Sequence, residues 1–278
     1  MRAVEHPVPQ HGSTSTGRPP RTVRVQTLNV RGLKLRSTKV GQLEPFLGRG
    51  GRVHAPGGHG ADVLVLTETQ LRTQDPVRAA RVYAPGCVSF WTRHVAVILK
   101  PGVSMLGATA VESQEGRKLT VTIQTPHAKC KQLVIVGIYA PGSEHNGLTK
   151  QDLIAHDEYY TRQAFFAELV IESKAGSETV VAGDFNCVSD VAYDVHRAPN
   201  VAPRPERNVG GAVWAATAAA ALLRDSKPDH TTPDYTWARN WANPASTRKR
   251  LDRIEISPGL TMGRKNQSSR RDGRRGAQ

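Results

Sequence analysis

The sequence predicts an α/β fold made mainly of strands with helices interspersed, as in two sheets packed together and flanked by helices. Three observations carry that expectation. Short runs rich in Val, Ile and Leu are bounded by turn residues, helical periodicity lies between some of them, and 278 residues at 38% hydrophobic suffice for one large domain or two small ones with a proper core.

The runs at 22–30, 61–67, 94–99, 119–125, 132–139, 179–182 and 250–257 are too short for most helices and heavily β-branched, which marks strands, several of them buried on both faces. Residues 153–174 place apolar side chains at Tyr159, Phe165, Phe166, Leu169 and Val170 among polar ones, the pattern of a helix with one buried face. Residues 212–224 are Ala-rich, with Trp214, Leu222 and Leu223 available for burial. A helix is also expected over 35–46, but 47–60 holds six glycines and a proline, which predicts a long loop.

Composition narrows the partners. The formal charge is +14, which favours a polyanion such as nucleic acid or an anionic membrane surface. Residues 1–24 hold four Lys/Arg and one acid, and 258–278 hold six and one, so the stretch between carries 28 basic against 22 acidic residues, or +6. No apolar run approaches the roughly 18 residues needed to cross a bilayer. The first 21 residues, rich in Pro, Gly, Ser and Thr, read as a disordered leader, residues 22–257 as the folded domain and 258–278 as a basic disordered tail. Cys87, Cys130 and Cys187 lack metal-ligand spacing and fit core thiols of a reducing compartment.

Polar residues that interrupt strands locate the chemistry. The first strand ends in Asn29, the second in Glu68, and the run ETVVAG leads into Gly183-Asp184-Phe185-Asn186. An acid at the end of a buried strand is costly unless it is paired, hydrogen-bonded or bound to a metal. In extended backbone Asp184 and Asn186 leave on one face while Phe185 points into the core. Asn29, Glu68, Asp184 and Asn186 offer hard oxygen ligands with few soft competitors, which suits Mg²⁺. Taken singly, each is more often a turn or loop residue.

Taken in order, the segments TLNVRGL (27–33), ADVLVLTETQL (61–71), VAVILK (95–100), GRKLTVTI (116–123), VGIYAPG (136–142), VVAGDFNCV (180–188) and YTWARN with RLDRIEIS (235–257) resemble the endonuclease/exonuclease/phosphatase superfamily. They are most similar to the apurinic-endonuclease-like domains of non-LTR (LINE-type) retrotransposons. The resemblance implies a four-layer α/β/β/α sandwich of two mixed sheets flanked by helices. It implies Mg²⁺, for which Mn²⁺ can substitute, held by Glu68 with help from Asn29. Asp184 takes the position of the group that orients or deprotonates the attacking water, Asn186 that of a phosphate ligand, and Tyr139 that of a tyrosine set against the scissile phosphate. Without the resemblance, Tyr139 reads equally well as a strand-end aromatic packing on Pro141.

Asp252, in RLDRI, matches an aspartate that aligns a histidine in the family. That histidine follows in a Ser-Asp-His motif on a last strand, and this chain shows no such motif after Ser257. Asp229-His230 spells part of it, but before the RLDRI strand, in a Pro- and Thr-rich segment that reads as a surface loop. His94 stands where the family carries glycine, and Gly142 where it often carries an amide.

The resemblance thus implies an enzyme that nicks DNA, accompanied by a reverse transcriptase domain in a longer polyprotein, with activity lowered by loss of the terminal motif. Two alternatives stay open: a decayed remnant that only binds nucleic acid, and a phosphatase or phospholipase of the same superfamily.

Overall fold

The computed structural model describes residues 2–3, 23–33, 61–71, 76–103, 107–127, 130–142, 162–172, 175–188, 194–196, 210–226, 236–238 and 248–260. The expected helix at 35–46, the glycine-rich loop, Tyr159, His230 and the tail from 261 onward lie outside them. Within the expected leader, Arg2–Ala3 forms a short strand, β1, antiparallel to Glu112 and Val111.

The remaining strands are β2 (Val25–Asn29), β3 (Val63–Thr67), β4 (Val88–Trp91), β5 (Val95–Leu99), β6 (Ala108–Ser113), β7 (Lys118–His127), β8 (Cys130–Tyr139), β9 (Ser177–Asp184), β10 (Val195–His196), β11 (Arg224–Asp225), β12 (Trp237–Ala238), β13 (Arg248–Lys249) and β14 (Asp252–Ile256). They build a four-stranded sheet in the order β2-β3-β5-β4 and a seven-stranded sheet in the order β1-β6-β7-β8-β9-β14-β11. Both sheets are mixed, each containing one parallel pair: β2 with β3, and β8 with β9. A small three-stranded sheet, β10-β13-β12, adds to the expected two.

Alternation along the strands explains the layering. Val63 and Val65 of β3 and Val95, Val97 and Leu99 of β5 meet Leu119, Val121, Ile123, Leu133 and Ile135 of the larger sheet, forming the core between the sheets. Leu64, Leu66, Ala96 and Ile98 face the other way, onto helix α1 (Pro76–Tyr83) through Ala79 and Tyr83. On the far side Val134, Val136, Ile138 and Val181 pack on Phe165 and Phe166 of α2 (Arg162–Ala167) and on Trp214 and Ala218 of α3 (Gly211–Ala220). Helix, sheet, sheet and helix are the four layers.

All seven predicted runs are strands. Those at β4, β6 and the two-residue strands were not foreseen, since β6 buries only Ala110 fully and gives little periodic signal. Helix α1 was missed as well, its eight residues being too short a window for helical periodicity to show, though Pro76 opens it as a proline at the first helical position should. Two side chains expected on buried faces are exposed. Val170 (62% exposed) follows the end of α2, and Leu222 (68% exposed) sits past α3 with φ 55°.

Candidate functional site

Both parallel pairs finish at the same end of the sandwich, and this is what gathers the site. Asn29 stands level with Thr67 at the end of β2 and β3, and Tyr139 stands level with Asp184 at the end of β8 and β9. Strand β14 runs antiparallel to β9, so its first residue, Asp252, lies directly across from Asp184. Residues from the ends of five strands, β2, β3, β8, β9 and β14, thereby meet at one place.

Local backbone then aims them. Gly183 adopts φ 147°, and a Cβ there would sit 2.0 Å from the Ile138 carbonyl oxygen, so only glycine brings β9 this close to β8 just before Asp184. Glu68 leaves β3 with φ 54° and Asn186 has φ 49°. A glutamate in the left-handed region costs roughly 1–3 kcal/mol, strain of the kind that clusters at functional sites. The Asn186 turn corrects one expectation: the backbone after Asp184 is not extended, so the shared face of Asp184 and Asn186 arises from a turn. Phe185 is buried between α2 and α3 as expected.

The carboxylates are bridged by an amide. Asn29 Nδ2 donates to Glu68 Oε1 at 2.8 Å and to Asp184 Oδ2 at 2.9 Å, and Asn29 Oδ1 accepts from the Arg31 backbone at 3.0 Å. The Asn186 backbone N–H donates to Asp184 Oδ1 at 2.9 Å, while Asn186 Nδ2 donates to the Ala140 carbonyl at 2.7 Å. The Tyr139 hydroxyl hydrogen-bonds to Glu68. Four sequence-predicted residues, Asn29, Glu68, Asp184 and Tyr139, are thus one hydrogen-bonded set, with Asn186 attached to it.

Electrostatics follow from crowding acids in a buried place. Burial raises the pKa of Asp184, with Glu68 adding to it and the hydrogen bonds from Asn186 and Asn29 opposing. Asp252 is pushed up to about 7, by burial first and then by Asp184. Tyr139 is pushed up to about 12 by burial and the two acids. Asp252 Oδ1 is buried without a hydrogen-bond partner among the described residues. Its backbone N–H and that of Leu251 both donate to Thr236 Oγ1, at 3.0 and 2.9 Å.

Sequence reasoning missed three groups. Arg162 of α2 is buried, donates from Nε to the Pro141 carbonyl at 2.9 Å, and lowers the pKa of Asp184. Thr236 belongs to the Thr-Trp segment already noted, but its tie to Asp252 depends on strand pairing invisible in the sequence. Arg117 lies with its guanidinium 5.3 Å from the Tyr139 ring centroid. His94 does crowd this place: its ring is 5.6 Å from that of Tyr139, and burial, with Arg117 and Arg93, pushes its pKa down to about 4.

Among the described residues no group of three or more His, Cys, Asp or Glu side chains is arranged to hold a metal. Mg²⁺ does not require one, since it retains several waters and takes one or two carboxylates. Glu68 supplies a hard oxygen, while Asn29 turns its Nδ2 to both acids and its Oδ1 to the Arg31 N–H, so Asn29 would join a cation only through Oδ1 in exchange for that hydrogen bond. The donor set fits a hard divalent ion.

No protein-family model matches the sequence, and no curated protein does. Solved structures share the fold. A 3′ phosphatase, NExo, from Neisseria, bound to a product DNA hairpin, superposes with a TM-score of 0.54 at 18% identity, covering 86% of this chain and 88% of that one. A 3′-5′ exonuclease, NExo, from Neisseria meningitidis gives 0.57 at 18% identity, over 85% and 87%. An AP endonuclease from Archaeoglobus fulgidus gives 0.55 at 14% identity, over 86% and 88%. The chain therefore shares the fold of these three structures, a sandwich of two mixed sheets.

Proposed function

We propose that this chain is a divalent-metal-dependent phosphodiesterase that nicks DNA, of the type carried by non-LTR retrotransposons. The observation that carries the reading is the bridge from Asn29 to both Glu68 and Asp184 at the common end of the two parallel pairs. The three structural neighbours are described as a 3′ phosphatase on DNA, an exonuclease and an AP endonuclease, which supports DNA as the substrate. The retrotransposon origin and the accompanying reverse transcriptase rest on the sequence segments alone.

Glu68 and Asn29 would hold Mg²⁺ or Mn²⁺, and the bound ion would supply Lewis-acid stabilisation of phosphate charge. Asp184, its two oxygens held by Asn186 and Asn29, keeps lone pairs in a fixed direction to orient a water toward phosphorus. The new P–O bond forms from that water as the ester P–O bond breaks. Tyr139, a neutral phenol at any ordinary pH, holds Glu68 and borders the phosphate place. Arg162 keeps the Tyr139-Ala140-Pro141 turn in register.

Purified protein is expected to convert supercoiled plasmid to open circle with Mg²⁺ and not with EDTA. Glu68→Ala and Asp184→Ala should each abolish the nicking; unchanged activity in both would sink the mechanism. One observation favours a binding-only remnant instead: Asp252 Oδ1 has no donor. That reading predicts DNA binding without Mg²⁺-dependent turnover in the same assay.

A further inference from the structure

Beside the acids, Arg117 lays its guanidinium 5.3 Å from the Tyr139 ring centroid, and Arg93 stands exposed on the neighbouring turn. No ion pair of Arg93 or Arg117 is seen among the described residues, whereas Arg250 pairs with both Asp194 and Asp225. Surface arginines are often solvated and mobile, but these sit on a stapled scaffold. Thr92, 3% exposed, accepts from the Val95 N–H at 2.9 Å and contacts the Gly116 carbonyl at 2.6 Å through its hydroxyl, which ties the turn bearing Arg93 and His94 to the turn bearing Arg117.

The same two turns are fastened to the reacting centre. Thr69 and Leu71, just past Glu68, donate their N–H groups to the His94 and Arg93 carbonyls at 3.2 and 3.0 Å, and Thr69 Oγ1 donates to the Arg93 carbonyl at 2.9 Å. The Tyr139 N–H donates to the Arg117 carbonyl at 2.8 Å. Gly116 turns the chain with φ 77°, and a Cβ there would stand 2.9 Å from Glu112 Oε1 and 3.3 Å from the Arg93 nitrogen. Glu68, Arg93, His94, Arg117 and Tyr139 therefore move as one piece.

Their chemistry is that of an anion site. A guanidinium laid on an aromatic face keeps its N–H edge free for a phosphate, which it can grip with two parallel hydrogen bonds. His94 between the arginines and Tyr139 is neutral, so it adds surface without adding charge. The acids and the cations occupy adjacent places along the cleft, which sets one phosphate at Glu68 and a second anion at Arg117.

We infer that Arg93 and Arg117, with Tyr139 and His94, form a subsite for the internucleotide phosphate next to the one cleaved. This rests on the nuclease reading above and deepens it, because the substrate must then be a chain with at least two phosphates and not a small monophosphate. Phosphate at this subsite positions the polynucleotide along the cleft.

The test is binding in EDTA, where no turnover is needed and which is independent of whether nicking occurs. Fluorescence anisotropy of a labelled 20-base-pair DNA is measured from 50 to 300 mM KCl for wild type, Arg117→Gln, Arg93→Gln and the double variant, each checked for folding by circular dichroism. The double variant should bind about tenfold more weakly at 100 mM and reduce the slope of log Kd against log salt by about 0.9, one phosphate contact. Competition by short DNAs reads the second phosphate directly: pdTpdT or dTpdTp should displace the probe from wild type at least fivefold better than dTpdT, and the advantage should vanish in Arg117→Gln. A wild-type salt slope in the folded double variant, equal competition by one- and two-phosphate dinucleotides on wild type, or no DNA binding by wild type at 50 mM, would each overturn the subsite. Failure of plasmid nicking with intact salt-slope differences would overturn the nuclease reading and leave the anion subsite standing.

Discussion

Asp184 and Asp252 face each other across β9 and β14, yet their surroundings differ. Asp184 has a donor on each oxygen, from Asn29 and from Asn186, and a buried guanidinium nearby in Arg162. Asp252 leaves Oδ1 buried with none, and Thr236 supports it, accepting its backbone N–H and hydrogen-bonding its carboxyl. The fold completes one side of the cleft and leaves the other short of a donor. Burial raises both acids, but on Asp184 hydrogen bonds from Asn186 and Asn29 oppose it, whereas on Asp252 the side-chain opposition comes from Thr236 and the Asp184 charge adds to the rise.

That asymmetry is broken most severely by changing each acid to its amide. Asp184→Asn should lower nicking by about a thousandfold or more, since the oriented charge is lost from the reacting centre, while Asp252→Asn should cost about tenfold. Single-turnover rates on nicked-plasmid assays at saturating Mg²⁺ measure both. Equal losses would show that Asp252 works alongside Asp184 despite its missing donor. If 10–100 mM imidazole raises the wild-type rate and not that of Asp252→Asn, the missing donor is the rate-lowering defect.

The sequence made the complete side legible and the incomplete side obscure, for physical reasons. Glu68 and Asp184 come at the close of apolar runs, VLVL and VVAG, so a polar side chain there stands out, while Asn29 closes the mixed run VQTL and shows through its place in the order of segments. The inter-sheet core could be read from the same runs. Around Asp252 the partner Thr236 stands just before the two-residue strand β12, whose pairing with the equally short β13 leaves no periodicity. The positive φ of Glu68 was equally hidden, because glutamate carries no signal for that conformation. Arg117 looked like any basic residue until the strand register set it against Tyr139.

A second consequence concerns pH. The folded-state pKa of Asp252 lies near 7, above its unfolded value near 3.8, so folding favours the protonated form. Its contribution to stability is full below the unfolded value, falls as pH rises through the interval, and is gone above about 7. Asp184 shifts in the same direction. In EDTA, urea denaturation should therefore show stability dropping between pH 5 and 8 by on the order of 2 kcal/mol, discounted for partial exposure. Asp252→Asn should flatten most of that slope and be the more stable protein at pH 8. A variant as pH-sensitive as wild type would mean the acid is paired in solution.

The smallest expected effect probes what holds Asp252 at all. Thr236 Oγ1 accepts two backbone N–H groups, from Leu251 and Asp252, at the point where β14 begins. Valine has the same shape without the acceptor, so Thr236→Val leaves two donors without their partner and should cost about 1 kcal/mol, while Thr236→Ser should restore most of it. The loss falls on one side of the cleft only. Nicking by Thr236→Val should drop about as far as in Asp252→Asn, and the two changes combined should be less than additive because they disable the same group. Full additivity would show that Thr236 merely stabilises the sheet and that Asp252 keeps its place without it.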